Sequence, residues 1–150
     1  MPTDVLVRPA ITDDAAAITH VQLASRKAAA MPPSIHHDPE ALPWITSLLE
    51  GDDEMWVAES DGVVVAYMRL TATWLDDLYV APAHVGCGVG TLLLDLAKSL
   101  RPAGFGLWVF EINAPARAFY ARHGLVEVER TDGRDNEERE PDIRMTWTPS

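Results

Sequence analysis

Three glycines alternate with other residues at Gly86, Gly88 and Gly90, and Thr91-Leu-Leu-Leu94 follows at once. Glycine adopts dihedrals closed to other residues and puts no side chain between a ligand and the main chain. A turn of this kind opening a helix offers bare N–H groups and the positive end of the helix dipole. That is a cradle for an anion, most often phosphate. Spacing then tests which phosphate. A Walker loop needs Gly, four residues, then Gly-Lys-Ser/Thr; counted from Gly86, the second glycine falls on Thr91 and no lysine follows. A dinucleotide loop needs Gly-x-Gly-x-x-Gly, and its third glycine falls on Thr91 or Leu93. Neither pattern fits.

Other residues carry chemistry less specifically. Asp76 and Asp77 stand inside a run that reads as a strand, where carboxylates are depleted. Glu111 ends another such run. Cys87 is the only cysteine, which excludes an internal disulfide and a cysteine-rich zinc site. At a helix N-terminus its thiol pKa is expected to fall, so a catalytic role has to be weighed against that of a spectator beside a ligand. His36-His37 has the look of half a metal site, but no further ligands stand at helpful spacing. Thr131 to Pro141 mixes Asp132, Asp135, Glu137, Glu138 and Glu140 with Arg134 and Arg139. It reads as a solvated loop, or as a rim that attracts a cationic amine.

The elements that must hold these residues follow from periodicity and punctuation. Val5 to Ile11 reads as a strand, and Thr12-Asp13-Asp14 as the cap of a helix striped by Ile18, Val21, Ala24 and Ala28. Met31-Pro-Pro-Ser34 breaks that helix. A second lies within Asp38 to Glu50 and begins at Leu42 or Pro43. Met55 to Glu59 and Val63 to Leu70 are strands joined by Ser60-Asp61-Gly62, a strong hairpin signal. Thr73 to Val80 is the next strand. Strict alternation puts Trp74, Asp76, Leu78 and Val80 on one face and Leu75, Asp77 and Tyr79 on the other. After the glycine loop, a helix from Thr91 to Leu100 buries Leu92, Leu93, Leu96, Ala97 and Leu100. Gly106 to Glu111 is a short apolar strand that reads as central. Asn113 caps a helix through Phe119 and Tyr120, ended by His123-Gly124. Val126 to Arg130 and Ile143 to Trp147 complete the series. The order β-α-α-β-β-β-α-β-α-β-β predicts an α/β (α+β) fold, a mixed and mostly antiparallel sheet flanked by helices, in a single domain over residues 1–150.

Leu78-Tyr-Val-Ala-Pro82, then three residues and Gly-x-Gly-x-Gly-Thr-Leu-Leu93, resembles the pyrophosphate loop of the GNAT superfamily of acyl-CoA-dependent N-acetyltransferases. Leu107-Trp-Val-Phe-Glu-Ile-Asn113, with Ala116, Phe119-Tyr120 and Gly124-Leu125, resembles that family's later strand–helix unit, and the element order matches over nearly the whole chain. The resemblance implies acetyl-CoA as co-substrate and direct attack by a primary amine in a ternary complex. It implies that Gly86, Cys87, Gly88, Val89, Gly90 and Thr91 surround the pyrophosphate. It implies that Leu78, Tyr79 and Val80 contact the cofactor, Leu78 and Val80 pairing with its pantetheine arm through main-chain atoms, and that Asn113 and Ala116 contact it too. Tyr120 is implied as the general acid at the leaving sulfur, and Asp76 or Asp77 as the base, with Glu111 as a further candidate. One position departs from the pattern: Val85 stands where the family usually carries Arg or Gln, beside His84. That predicts weaker pyrophosphate binding and raises an alternative, a catalytically silent acyl-CoA-binding module on the same fold.

The totals constrain partners more than chemistry. A net charge of −11 over 150 residues repels nucleic acid and anionic lipid and favours a cationic acceptor, whether a small molecule or a peptide. There is no basic leader and no run of about 20 apolar residues, so a cytoplasmic protein off the membrane is expected. No metal is implied. The resemblance also implies a possible homodimer. Five tryptophans are many for this length and are read first as packing.

Overall fold

A computed structural model describes residues 4–29, 31–32 and 36–150; Pro33 and Ser34, in the expected helix break, lie outside them. The elements are β1 (Val5–Pro9), α1 (Ala15–Ala28), α2 (Ala41–Leu49), β2 (Glu54–Ser60), β3 (Val63–Leu70), β4 (Leu75–Val80), α3 (Val89–Leu100), β5 (Phe105–Phe110), α4 (Ala114–Arg122), β6 (Val126–Thr131) and β7 (Asp142–Trp147). Short 3₁₀ turns precede α1 and α2, over Thr12–Asp14 and Asp38–Glu40. The order is the expected one. The strands are mostly antiparallel and flanked by helices, an α+β architecture.

Local chemistry accounts for most boundaries. The β2–β3 turn holds Asp61 and Gly62 at φ 53° and 80°, both left-handed, as a tight hairpin of the right twist requires. At the start of α1 the Asp14 carboxylate accepts the Ile11 N–H at 2.8 Å and is clamped by Arg8 at 2.8 Å. Asp14 thus occupies the N-cap position of α1, where its carboxylate closes the preceding turn and makes no cap bond to the helix amides. Asn113 caps α4 by accepting the Ala116 N–H at 3.3 Å.

Two buried clusters sandwich the sheet. One packs Ile18, Val21 and Ile45 of α1 and α2 against Val57 and Tyr67. The other packs Leu93, Leu94 and Ala97 of α3 against Met68, Leu107, Val109, Ile143 and Met145. Leu94 is buried and Leu92 is 46% exposed, the reverse of the expected helix face. Three successive leucines cover too much of the helix circumference for periodicity to choose among them. The rotation is set instead by Gly90, where an added Cβ would stand 3.3 Å from the Phe119 ring and 3.6 Å from Val80.

The strands form a four-stranded sheet, β1-β2-β3-β4, and a three-stranded sheet, β5-β7-β6. β4 and β5 meet through one parallel bridge, Trp74 to Gly106, with the Gly106 N–H on the Thr73 carbonyl at 2.9 Å. Beyond that bridge no pairing joins them among the described residues, so the edge of β4 at Leu78–Val80 is open toward β5. β5 is thus central only across this seam. β4 is shorter than the expected Thr73–Val80, and its alternation is broken. Arg69 pairs with Asp77 but Leu70 with Leu75, leaving Asp76 as an extra, bulged residue. Leu75 therefore joins Leu78 and Val80 on the α3 side instead of sharing a face with Asp77 and Tyr79.

Candidate active site

The glycine loop lies between the open end of β4 and the first turn of α3. Gly86 and Gly88 have φ of 84° and 88°, with nothing within 4 Å of an added Cβ. Backbone conformation, not crowding, demands glycine there. The bonds that close the loop use the Val85, Cys87 and Leu92 amides, donating to Pro82, His84 and Gly88 carbonyls. Among the described residues, the amides of Gly86, Gly88, Val89, Gly90 and Thr91 meet no such main-chain acceptor. They include the orphan donors of a helix start. The donor set suits a di-anion such as a pyrophosphate. Cys87 is exposed between two of these amides. Val85 is 68% exposed and offers no polar group. His84 Nδ1 is buried without a hydrogen-bond partner among the described residues. The Thr91 hydroxyl lies 3.2 Å from His123 Nε2, and that imidazole packs 4.7 Å from the Phe119 ring.

Across the gap, α4 brings up Phe119 and Tyr120, their rings edge to face at 5.4 Å. Burial pushes the Tyr120 phenol pKa well above its usual value, and the Tyr79 and Asp77 charges push it further. Among the described residues the hydroxyl meets no hydrogen-bond partner. Asn113 and Ala116 stand at the head of the same helix, the Ala116 amide already given to Asn113. On β4, Leu78 and Val80 are half-buried toward α3. The Val80 carbonyl accepts the Ser25 hydroxyl at 2.7 Å. The Tyr79 side chain turns to the α1 side, stacked on Tyr67 at 5.7 Å.

The two aspartates separate sharply. Asp77 is buried and bound to Arg69 at 2.8 Å. Burial raises its carboxyl pKa against the opposing pull of the Arg69 guanidinium. Asp76, on the bulge, is exposed and accepts the Thr71 hydroxyl at 2.8 Å. Glu111, the third candidate, is tied to Arg130 at 2.8 Å.

Arg26 is a participant that the sequence did not single out. Its Nη1 donates to the Tyr79 hydroxyl at 3.3 Å, and its Nη2 lies 3.7 Å from Glu138 in the β6–β7 loop. An arginine in the last turn of a helix reads as a partner for the dipole, so nothing local flagged it. Next to Glu138, Glu137 reaches His36 Nε2 at 3.0 Å, while His36 Nδ1 lies 3.3 Å from Glu40. Adjacent carboxylates thus fasten the loop to the α1 end and the segment before α2. Glu137 and Glu138 are therefore not free rim charges awaiting an amine. Among the described residues, no group of His, Cys, Asp or Glu is arranged to hold a metal ion, and no helix is long and apolar enough to cross a membrane.

Residues 21–125, from the middle of α1 to the end of the α4 turn, match the acetyltransferase (GNAT) family. The chain belongs to the GNAT acetyltransferase family. A peptidyl-lysine N-acetyltransferase of Salmonella typhimurium, YjaB, is 34% identical over 79 residues, 52% of this chain and 54% of that protein. The chain thus spans about half the length of that curated relative. The solution structure of apo YjaB from Escherichia coli superposes with a TM-score of 0.79 at 24% identity, over 98% of this chain and 99% of that one. The PaiA N-acetyltransferase from Thermoplasma acidophilum, solved in complex with coenzyme A, superposes with a TM-score of 0.74 at 20% identity, over 97% and 99%. At these identities the two structures establish the GNAT fold.

Proposed function

We propose that this GNAT protein transfers an acetyl group from acetyl-CoA directly to a primary amine, within one domain spanning residues 1–150. The observation that carries this is the row of unpaired amides at Gly86 to Thr91, beside the open edge of β4. Acetyl-CoA, when bound, supplies the activated thioester. The five amides and the α3 dipole hold its pyrophosphate. The edge of β4 at Leu78–Val80 receives the pantetheine arm as an added strand would be received, with Asn113 and Ala116 opposite. Proximity of amine and acyl carbon then supplies much of the rate.

Two protons have to move. One leaves the attacking amine nitrogen as the C–N bond forms. Asp77 is the base in this mechanism, directly or through water; burial raises its carboxyl pKa, against the pull of Arg69, and so strengthens it as a proton acceptor. The other is delivered as the C–S bond breaks. Tyr120 supplies it, and its raised pKa keeps the phenol protonated throughout the neutral range. Full transfer to a thiolate from so weak an acid is uphill, so Tyr120 first acts as a hydrogen-bond donor to the departing sulfur. The Salmonella relative, named as a peptidyl-lysine N-acetyltransferase, supports a lysine side chain among the acceptors. The net charge of −11 supports a cationic one.

The test is thiol release from acetyl-CoA over a panel of amines and lysine peptides, with the acetylated product identified by mass. Amine-dependent release is expected. Tight CoA binding without turnover across the panel would instead favour a silent acyl-CoA-binding module, the reading to which Val85 lends weight.

A further inference from the structure

On the surface where β4 parts from β5, Trp74, Leu75, Asp76 and Trp108 line a half-open pocket of about 230 Å³. Leu107 and Val109 are buried under α3, so Trp108 between them projects from the opposite face of β5. Its indole lies nearly parallel to that of Trp74, 13° between planes and 6.4 Å between centroids, and is 46% exposed. Trp74 is held in place by Gly106, where an added Cβ would stand 3.0 Å from the indole. The bulge sets the Asp76 carboxylate beside these rings. It accepts the Thr71 hydroxyl, and among the described residues no cation stands within ion-pair distance of it: Arg69, which feels its charge, is bound to Asp53 and Asp77, and Arg144, opposite Trp108 in register, is bound to Glu129. A carboxylate outside any ion pair, set against two indoles, is the surface that an organic cation fits, through charge and through the faces of the rings.

We infer that this pocket binds a second cationic group of the acceptor, an ammonium or guanidinium distinct from the amine that is acetylated. The distinction follows from acid–base chemistry. A carboxylate and aromatic faces stabilise a protonated amine, whereas the attacking amine has to lose its proton. A nitrogen seated here is therefore held, not acetylated. The proposal rests on the acetyl-transfer function only in assigning the pocket to an acceptor. The same group can come from a small diamine or from a basic residue beside the target lysine of a peptide.

Calorimetry separates pocket from activity. 1,5-Diaminopentane is titrated against 1-aminopentane, and a lysine peptide with a neighbouring arginine against the same peptide with glutamine there. The wild-type protein is compared with Trp108→Ala and Asp76→Asn, each checked for folding by circular dichroism. The dicationic partner of at least one pair is expected to bind about tenfold more tightly, and both substitutions to remove that difference. The pair that shows it identifies the source. Equal affinities within both pairs, or a preference that survives both substitutions, would overturn the inference. Absence of acetyl transfer with a pocket-dependent preference intact would refute the transferase function and leave the pocket standing.

Discussion

Replacing Gly88 with alanine tests whether the open amides, and not glycine as such, make the cofactor site. Gly88 caps α3 at φ 88° and ψ −1°. An alanine there meets no neighbour within 4 Å, so steric clash contributes nothing. The penalty is that of a left-handed L-residue, about 1–2 kcal/mol. For a chain of this size that lowers Tm by roughly 2–8 °C. If the loop instead relaxes, the amides that follow rotate out of the cradle, and the same free energy appears as roughly five- to thirtyfold weaker CoA binding. Gly90→Ala is the matched control. Gly90 lies in the first turn of α3 without a positive φ, so alanine gains up to about 1 kcal/mol of helix propensity. Against that gain stands the 3.3 Å approach to the Phe119 ring, which must give slightly. Stability is expected to change little, while displacement of Phe119 reaches Tyr120 through their edge contact and lowers kcat. Urea unfolding, calorimetry with CoA and steady-state turnover read the three effects. A Gly88→Ala protein with wild-type stability and wild-type CoA affinity would refute this account of the cradle.

Tyr120→Phe is expected to lower kcat by about 10²-fold or more and to leave the CoA dissociation constant unchanged, as for loss of a general acid. Because the hydroxyl meets no partner among the described residues, urea unfolding should find the variant no less stable than the parent. Alkylation of the exposed Cys87 should block CoA binding, and bound CoA should slow that alkylation; a modified protein with undiminished affinity would move the pyrophosphate elsewhere. The Glu137 hydrogen bond raises the His36 pKa, with Glu40 adding to it. A raised histidine contributes in full below its unfolded pKa of about 6.5, and its contribution disappears as pH climbs through the folded value. Protection of the amides in residues 131–141, after correction for the base-catalysed rise in intrinsic exchange, should therefore fall as pH rises from about 6.5. His36→Gln should remove that dependence, and an unchanged profile in the variant would exclude the His36–Glu137 link.

What could be read from the sequence was what local chemistry decides. Asp61-Gly62 and the left-handed Gly86 and Gly88 announce themselves because no other residues fit such backbones cheaply. Asn113 as a cap belongs to the same class. The bulge at Asp76 does not, because it exists only through the register of Arg69 and Leu70 on the neighbouring strand. It moved Leu75 to the other face, whereas the separation of Asp76 from Asp77 followed from alternation alone. The exposed Leu92 failed for a related reason, since contact of Gly90 with Phe119, 29 residues away, rotates α3. Arg26 with Glu138, and Trp74 with Trp108, are pairings across long stretches of chain that no spacing rule encodes.

Direct acetyl transfer is most sharply tested by mixing the protein with acetyl-CoA and following free thiol, first without an amine and then with one. In the proposed mechanism Asp77 and Tyr120 handle protons only, and exposed Cys87 sits at the phosphate cradle, so among the described residues none is placed to carry the acetyl group. No thiol should appear until the amine is added, and its amount should then match the amine acetylated. A stoichiometric burst before the amine, with an acetyl group found on Cys87, would contradict direct transfer.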